Sequence, residues 1–166
     1  MPDFSQFPLH AAIGTLLGTV SLFAVVLRSP RLMRNDYPPV LKEVIPPLTP
    51  EEKRTAWLLG MPFFIILLFF PFVVTMLFAT RGPQPPAFLY LFLYAAGIAF
   101  VFNVWDWLVL DWLLFCTITP RWVIVPGTEG NPGYKDYAFH FRGFLIGTLF
   151  SAIIGLISAG VVALLL

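Results

Sequence analysis

The longest apolar run of the chain, Ala87 to Ile118, contains no lysine or arginine, yet it carries Asp106, Asp111 and three tryptophans within the stretch Asn103-Val-Trp-Asp-Trp-Leu-Val-Leu-Asp-Trp112. A carboxylate at the centre of a bilayer costs on the order of 2.5–3.5 kcal/mol on insertion scales, so each aspartate needs water, a partner or a proton. Any fold for this chain has to solve that problem. The setting is fixed by composition: 58% of the residues are hydrophobic and 11% charged, against roughly 25% charged in an average soluble domain. The expectation is an all-α polytopic membrane protein, a four-transmembrane-helix bundle forming one domain over residues 1–166. So few charges leave no basic patch for nucleic acid.

The predicted helices are about 8–27, 56–79, 87–118 and 143–165, joined by long loops at 28–55 and 119–142. A helix of about 20 residues extends about 30 Å and crosses a hydrocarbon core. The first could be a secretory signal, but residues 1–7 include Asp3 and no lysine or arginine, so the basic n-region is missing and the segment is read as a mature helix. Thr49-Pro50-Glu51-Glu52 reads as a helix start, with an N-cap, a proline in the first turn and a glutamate three residues after the cap. Pro62 and Pro71 inside the second span predict kinks. The third span is expected to reach about 48 Å, longer than a bilayer core, so it either tilts or enters the interface. Its tryptophans favour the interface.

The first loop contains Pro30, Pro38, Pro39, Pro46, Pro47 and Pro50, which exclude a long helix. A short amphipathic piece between Pro39 and Pro46 would turn Val40, Leu41, Val44 and Ile45 towards the membrane. In the second loop, Arg121-Trp-Val-Ile-Val-Pro126 has strand-like composition and Gly127 to Gly133 is turn-rich.

Small residues recur every fourth position. Gly14 and Gly18 form such a row in the first helix, and Gly143, Gly147, Ser151 and Gly155 form one in the last. Rows of this kind allow close backbone approach in lipid, where helices associate by van der Waals contact. The preferred pairing is the first helix with the last; the rival is the last helix with a second copy of the chain, a homodimer.

Six lysines and arginines lie between the first two helices, one between the second and third, three between the third and fourth, and none at either end. The positive-inside rule then places both termini outside and both long loops in the cytoplasm. The basic loop residues either fix that orientation or bind anionic lipid head groups, at about 1 kcal/mol per residue near the surface. In this topology Asp106 and Asp111 lie about 28 and 36 Å along the third helix from Ala87, near the cytoplasmic boundary.

The candidate functional cluster is therefore Asn103, Asp106, Asp111, Lys135, His140 and Arg142. At about 100° per residue Asp106 sits about 140° from Asp111, so on an α-helix the two carboxylates do not share a face unless the helix bends. Asp106 is expected to pair with Arg142 or His140, and Asp111 with Lys135 or Arg121, across the bundle. Trp105, Trp107 and Trp112 read as interfacial anchors, with a cation cage as the alternative. His10, a lone imidazole near a helix end, reads as interfacial. Cys116 is a single thiol and has no metal-site spacing. No metal or other cofactor is implied, and neither the phosphate-loop pattern nor a hydrolase motif occurs.

The run Cys116-Thr-Ile-Thr-Pro-Arg-Trp-Val-Ile-Val-Pro-Gly-Thr-Glu-Gly130, with Tyr134-Lys-Asp-Tyr137 and His140-Phe-Arg-Gly-Phe144, resembles small four-helix integral membrane proteins of bacteria to which no activity is attached. The resemblance covers mainly residues 103–147 and implies a plasma (inner) membrane. The functional expectation is a non-enzymatic multi-pass protein acting through protein or lipid partners, as an accessory or scaffold subunit. Two alternatives stay open: a homo-oligomeric proton, cation or small-solute transporter using Asp106 or Asp111, and a lipid head-group enzyme with Asp111 or His140 as base.

Overall fold

The computed structural model describes residues 2–166. It is 80% helical, with no strand among the described residues. In chain order come α1 (Phe7–Arg28), a 3₁₀ segment (Pro30–Asp36), α2 (Pro39–Val44), α3 (Pro50–Ala79) and α4 (Phe88–Trp105). α4 runs without a break into a π-helical segment, Asp106–Ile118. Two 3₁₀ turns, Arg121–Val123 and Pro132–Lys135, lead to α5 (Tyr137–Leu165). Four helices are long and apolar enough to cross a membrane: α1, α3, the continuous Phe88–Ile118 and α5, with mean hydropathies of 1.9, 2.5, 1.9 and 2.3. Their outward faces carry Leu16, Phe69 and Leu149, each more than 60% exposed, as a surface bathed in lipid tails requires.

α3 starts on a capping box. Thr49 Oγ1 accepts from the Glu52 amide at 3.2 Å and Glu52 Oε2 accepts from the Thr49 amide at 2.7 Å. Glu52 also receives Arg31, Nε to Oε1 at 2.7 Å, which ties the helix start to the preceding loop. Pro62 and Pro71 lie inside α3, and the helix continues through both. α5 begins at Tyr137, with Asp136 Oδ1 accepting from the Phe139 amide at 2.9 Å.

The most extensive helix contact joins α4 to α5. The small-residue row of α5 makes it possible: a Cβ on Gly155 would stand 2.5 Å from Ala96 Cβ, and one on Gly147 would overlap the Asn103 amide. Asn103 Nδ2 donates across this contact to the Phe144 carbonyl at 3.1 Å and to Thr148 Oγ1 at 3.2 Å. Ser151 donates to the Gly147 carbonyl. The expected pairing of the first helix with the last is thereby corrected, because Ala96 and Asn103 of α4 already fill the α5 row. Gly14 and Gly18 of α1 are filled instead by Phe70 of α3 and Phe102 of α4, whose ring atoms would lie 2.8 and 2.5 Å from an added Cβ. Gly143, at the start of the row, meets nothing within 4 Å and has no packing role.

Two apolar cores result, one at each end of the bundle. At the end holding the chain termini, Phe78 stacks on Tyr94 at 4.2 Å between ring centroids, alongside Leu91, Ala159 and Val162. His10 is buried here with Nδ1 2.8 Å from Tyr94 Oη, a cross-helix polar link rather than the interfacial residue expected. At the opposite end the two long loops fold onto each other around Tyr37, Leu41, Ile45, Phe115, Val123 and Tyr134. Tyr37 Oη lies 2.9 and 3.0 Å from the carbonyls of Pro30 and Val123. Arg34 closes α2, donating to the carbonyls of Ile45 and Lys42 at 2.8 and 2.9 Å. Two expectations are revised at this end. The strand-like 121–126 run is a 3₁₀ turn at Arg121–Val123 followed by irregular chain; the Val123 carbonyl lies against the Tyr37 hydroxyl, and no strand exists among the described residues. In α2, Leu41 and Ile45 turn into the loop core, and only Val40 and Val44 are exposed.

Gly155→Ala should lower stability by about 1–3 kcal/mol, since Ala96 backbone atoms at 2.9–3.0 Å cannot give way. Gly143→Ala, with open space around it, should stay within about 0.5 kcal/mol of the parent. Thermal unfolding of both variants in the same detergent checks the contrast.

Candidate functional site

α3 packs on α1, α4 and α5, whereas the π-helical segment packs on α5 and on the Pro132–Lys135 turn and has no more than marginal contact with α3. The helices converge at one end and separate towards the loop cap. The gap is a cavity of about 730 Å³, within the range of about 300–1,000 Å³ usual for small-molecule sites. Its apolar walls include Phe23, Trp57, Phe63, Leu110, Trp122 and Phe139. Its polar lining includes Asn35, Asp36, Asp106, Asp111 and His140, with Tyr37 and Lys53 also on the wall. Trp57 and Phe64, both lining it, are 64% and 60% exposed, so the opening is rimmed by apolar side chains. Gly60 and Gly143 lie on its surface, and a Cβ on either would meet nothing within 4 Å.

The backbone register of the 106–118 segment decides what faces this space. Bonds reach from residue i to i+5, as from the Thr119 amide to the Leu114 carbonyl at 2.9 Å, and Thr117 Oγ1 repeats the step by donating to Trp112 O at 2.7 Å. Residues five apart therefore stand nearly above one another. Asp106, Leu110, Asp111, Leu114 and Phe115 all line the cavity. At about 100° per residue Asp106 and Phe115 would point in opposite directions. The α-helical expectation that the two aspartates face apart is overturned for this reason.

Asp111 Oδ1 lies 3.0 Å from His140 Nδ1. His140 is 6% exposed, stands between the rings of Phe115 and Phe139, and its Nε2 is buried without a hydrogen-bond partner. A histidine held through Nδ1–H by a carboxylate keeps an acceptor lone pair on Nε2 when neutral. Such a nitrogen can take a proton or accept from a ligand N–H or O–H.

The other members of the expected cluster lie elsewhere. Lys135 does not pair with Asp111; its ammonium closes the π-helical segment, donating to the carbonyls of Cys116 and Thr117 and to Thr119 Oγ1 at 2.8 Å. These are carbonyls that a helix end leaves without partners, and the chain turns there through Thr119 at φ 49°. Arg142 is exposed and outside the cavity, so it does not reach Asp106. Asn103 belongs to the α4–α5 contact. Trp107 stacks on Phe144 at 4.3 Å, and Trp112 donates from Nε1 to the Tyr137 carbonyl at 3.2 Å. Two of the three expected anchors thus join the π-helical segment to α5, on the side away from the cavity. Trp105 is 40% exposed.

Asp36 and Trp57 escaped sequence reasoning, and Lys53 figured there only as one of the basic residues of the first loop. For Asp36 a signal existed, the one aspartate of the first loop, set beside Tyr37-Pro38 and two residues after Arg34. Loss of hydration against the protein pushes the Asp36 carboxyl above the usual range; Lys42 opposes this and Asp111 adds to it. Among the described residues no group of three or more His, Cys, Asp or Glu side chains is placed to hold a metal ion. Comparisons with protein-family models, with curated proteins and with solved structures give no match to this chain. The site is read from its own geometry.

The Asp36 shift has a definite sign. A carboxyl whose folded pKa is raised supports the fold most at pH below its unfolded value and loses that support as pH rises through the folded value. Asp36→Asn removes the cost of the charged form, so the stability of the variant relative to the parent should be greater at pH 7 than at pH 4. A thermal-unfolding series over that range checks it, and a difference that shrinks towards pH 7 contradicts it.

Proposed function

We propose that this chain is a non-enzymatic multi-pass membrane protein that acts through a lipid held in the cavity between α3 and the π-helical segment, serving as an accessory subunit whose loop cap meets other proteins. The observation that carries this reading is the cavity itself: about 730 Å³ with mostly apolar walls, exposed Trp57 and Phe64 among its lining, and polar groups that include Asp36, Asp106, Asp111 and His140. A water-filled site would not need exposed Trp57 and Phe64 at its mouth. A lipid satisfies both surfaces at once, placing its head group at the carboxylates and its tail along the aromatic wall.

We place the loop cap in the cytoplasm, both termini outside, and the chain in the plasma membrane. The support is the distribution of lysine and arginine, all but Arg81 of which lie in or beside the two long loops. Arg31, Arg34 and Lys135 also serve the fold, through Glu52, the end of α2 and the end of the π-helical segment, and Lys53 lies on the cavity wall, which leaves Arg28, Lys42, Arg54, Arg121 and Arg142 as the surface for anionic head groups. A head-group enzyme is the second reading, favoured by one geometric fact: Asp111 holds His140, a residue of the cavity lining, through Nδ1 and leaves Nε2 without a protein partner, as in a carboxylate-oriented general base. No serine, threonine or cysteine lines that cavity, so such a base would have to activate water.

Native mass spectrometry of the full chain released gently from its membrane tests the main reading. The parent is expected to retain a lipid that survives detergent, and Gly60→Phe, which fills the cavity, to lose most of that occupancy while Gly60→Ala keeps it. Equal lipid occupancy in the parent and Gly60→Phe would contradict a cavity-bound lipid.

A further inference from the structure

We infer that residues 106–118 form a register switch: a latch of Lys135 and Tyr137 holds them in the π register, and its release lets them revert to an α-helix that takes one of the two aspartates off the cavity wall. The first ground is the length of the segment. π-helical turns occur mostly singly inside α-helices, whereas this segment runs for 13 residues. At its start the Asp106 amide still bonds to the Phe102 carbonyl, four residues back, and at its end the Thr119 amide reaches the Leu114 carbonyl, five back. The α register thus leads into the segment without a break. Reversion needs no new helix, only a change of carbonyl partner along one that exists.

The second ground is strain at the point where the segment ends. Thr119 has φ 49°, the one positive value at a non-glycine residue among those described. For a β-branched residue this is a true outlier. Conformations of this kind persist only where the surroundings over-determine them, and they gather at switch regions.

The third ground is the latch itself. Lys135 Nζ donates to the carbonyls of Cys116 and Thr117 and to Thr119 Oγ1, charge-assisted bonds that hold the strained end in place. Tyr137 reads the five-residue spacing directly. Its carbonyl accepts from Trp112 Nε1 at 3.2 Å and its hydroxyl lies 3.0 Å from Thr117 Oγ1, which in turn donates to the Trp112 carbonyl. Residues 112 and 117 stand above one another in the π register and would lie about 140° apart in the α register, so this set of bonds belongs to one register alone. Besides α4, which precedes it, the elements closest against the segment are α5 and the Pro132–Lys135 turn. Gly133 of that turn packs on α2 of the loop cap, where an added Cβ would stand 2.8 Å from Leu41 Cγ. An event on the cap that draws Lys135 from its three acceptors therefore alters the cavity wall without touching it. The switch depends on the wall and not on what fills the cavity.

Reaction with a water-soluble maleimide tests it, using Asp106→Cys and Asp111→Cys, one at a time, in a Cys116→Ala background of the full chain in phosphatidylcholine nanodiscs. With Lys135 in place both cysteines should react at similar rates. Lys135→Met should lower the rate at one of the two by at least about tenfold relative to the other. Lys135→Arg, which keeps donors for the same carbonyls, should retain the parent pattern. Thr117→Val keeps the shape of an exposed residue and removes only its bonds to Trp112 and Tyr137; it should move the ratio in the same direction, and it decides the matter even where Lys135→Met does not fold. Rates that stay alike at 106 and 111 in the latch variants would overturn the switch. Unequal rates in the parent would overturn the shared wall and the switch together, whereas a parent that retains no lipid would overturn the lipid reading and leave the switch standing.

Discussion

The i→i+5 register of residues 106–118 holds the site together. A helix in a membrane that carries two carboxylates must turn both away from the tails, and an α-helix cannot do so for residues five apart on one narrow face. The wider turn of the π-helix brings Asp106 and Asp111 to the same wall, with Leu110, Leu114 and Phe115 completing it. π-helical stretches are rare and gather at functional sites. This one is supported along its other side by Trp107 on Phe144 and Trp112 on Tyr137, and at its end by Lys135. The residues that looked like a polar cluster in the sequence thus divide into a group that faces the cavity and a group that maintains the helix facing it.

The same division explains the shape of the bundle. Close packing at the terminal end rests on small residues: Gly155 against Ala96 joins α5 to α4, and Gly14 against Phe70 joins α1 to α3. Towards the loops the small residues Gly60 and Gly143 have nothing against them, and the helices part. The folded loops then act as a floor. Tyr37, held by two carbonyls, and Arg34, closing α2, fix that floor without any membrane-crossing element. The carboxylate of Asp36 is carried on it. Loss of hydration there pushes the carboxyl above its usual range, the direction that costs stability as pH rises.

Much of this was legible in the sequence, and the failures have physical causes. Four spans follow from apolar runs long enough to cross a bilayer, and the start of α3 from Thr49 and Glu52, because hydropathy and capping are local properties. Asp106, Asp111 and His140 stood out in the sequence because carboxylates in an apolar run are expensive, and all three line the cavity. Their geometry was not visible, because a rule of about 100° per residue assumes the α register. The partner of the α5 row was misjudged since small-residue spacing says that a backbone approaches, not which one. Asn103 was the missing clue, an amide able to bond Phe144 and Thr148 across that row. Lys135 was assigned to a carboxylate because opposite charges invite pairing, whereas the end of a helix offers a lysine three acceptors without a charge.

The most direct measurement is the reaction of single cysteines, placed in turn at positions 105–115 in a Cys116→Ala background, with a water-soluble maleimide in the reconstituted protein. Strong labelling at 106, 110, 111 and 114, with 107 and 112 protected by α5, is the pattern of a π-helical wall facing an accessible cavity. Labelling that follows the 3.6-residue period, with 107 reactive together with 111 and 106 silent, would contradict the register and with it the shared wall of Asp106 and Asp111.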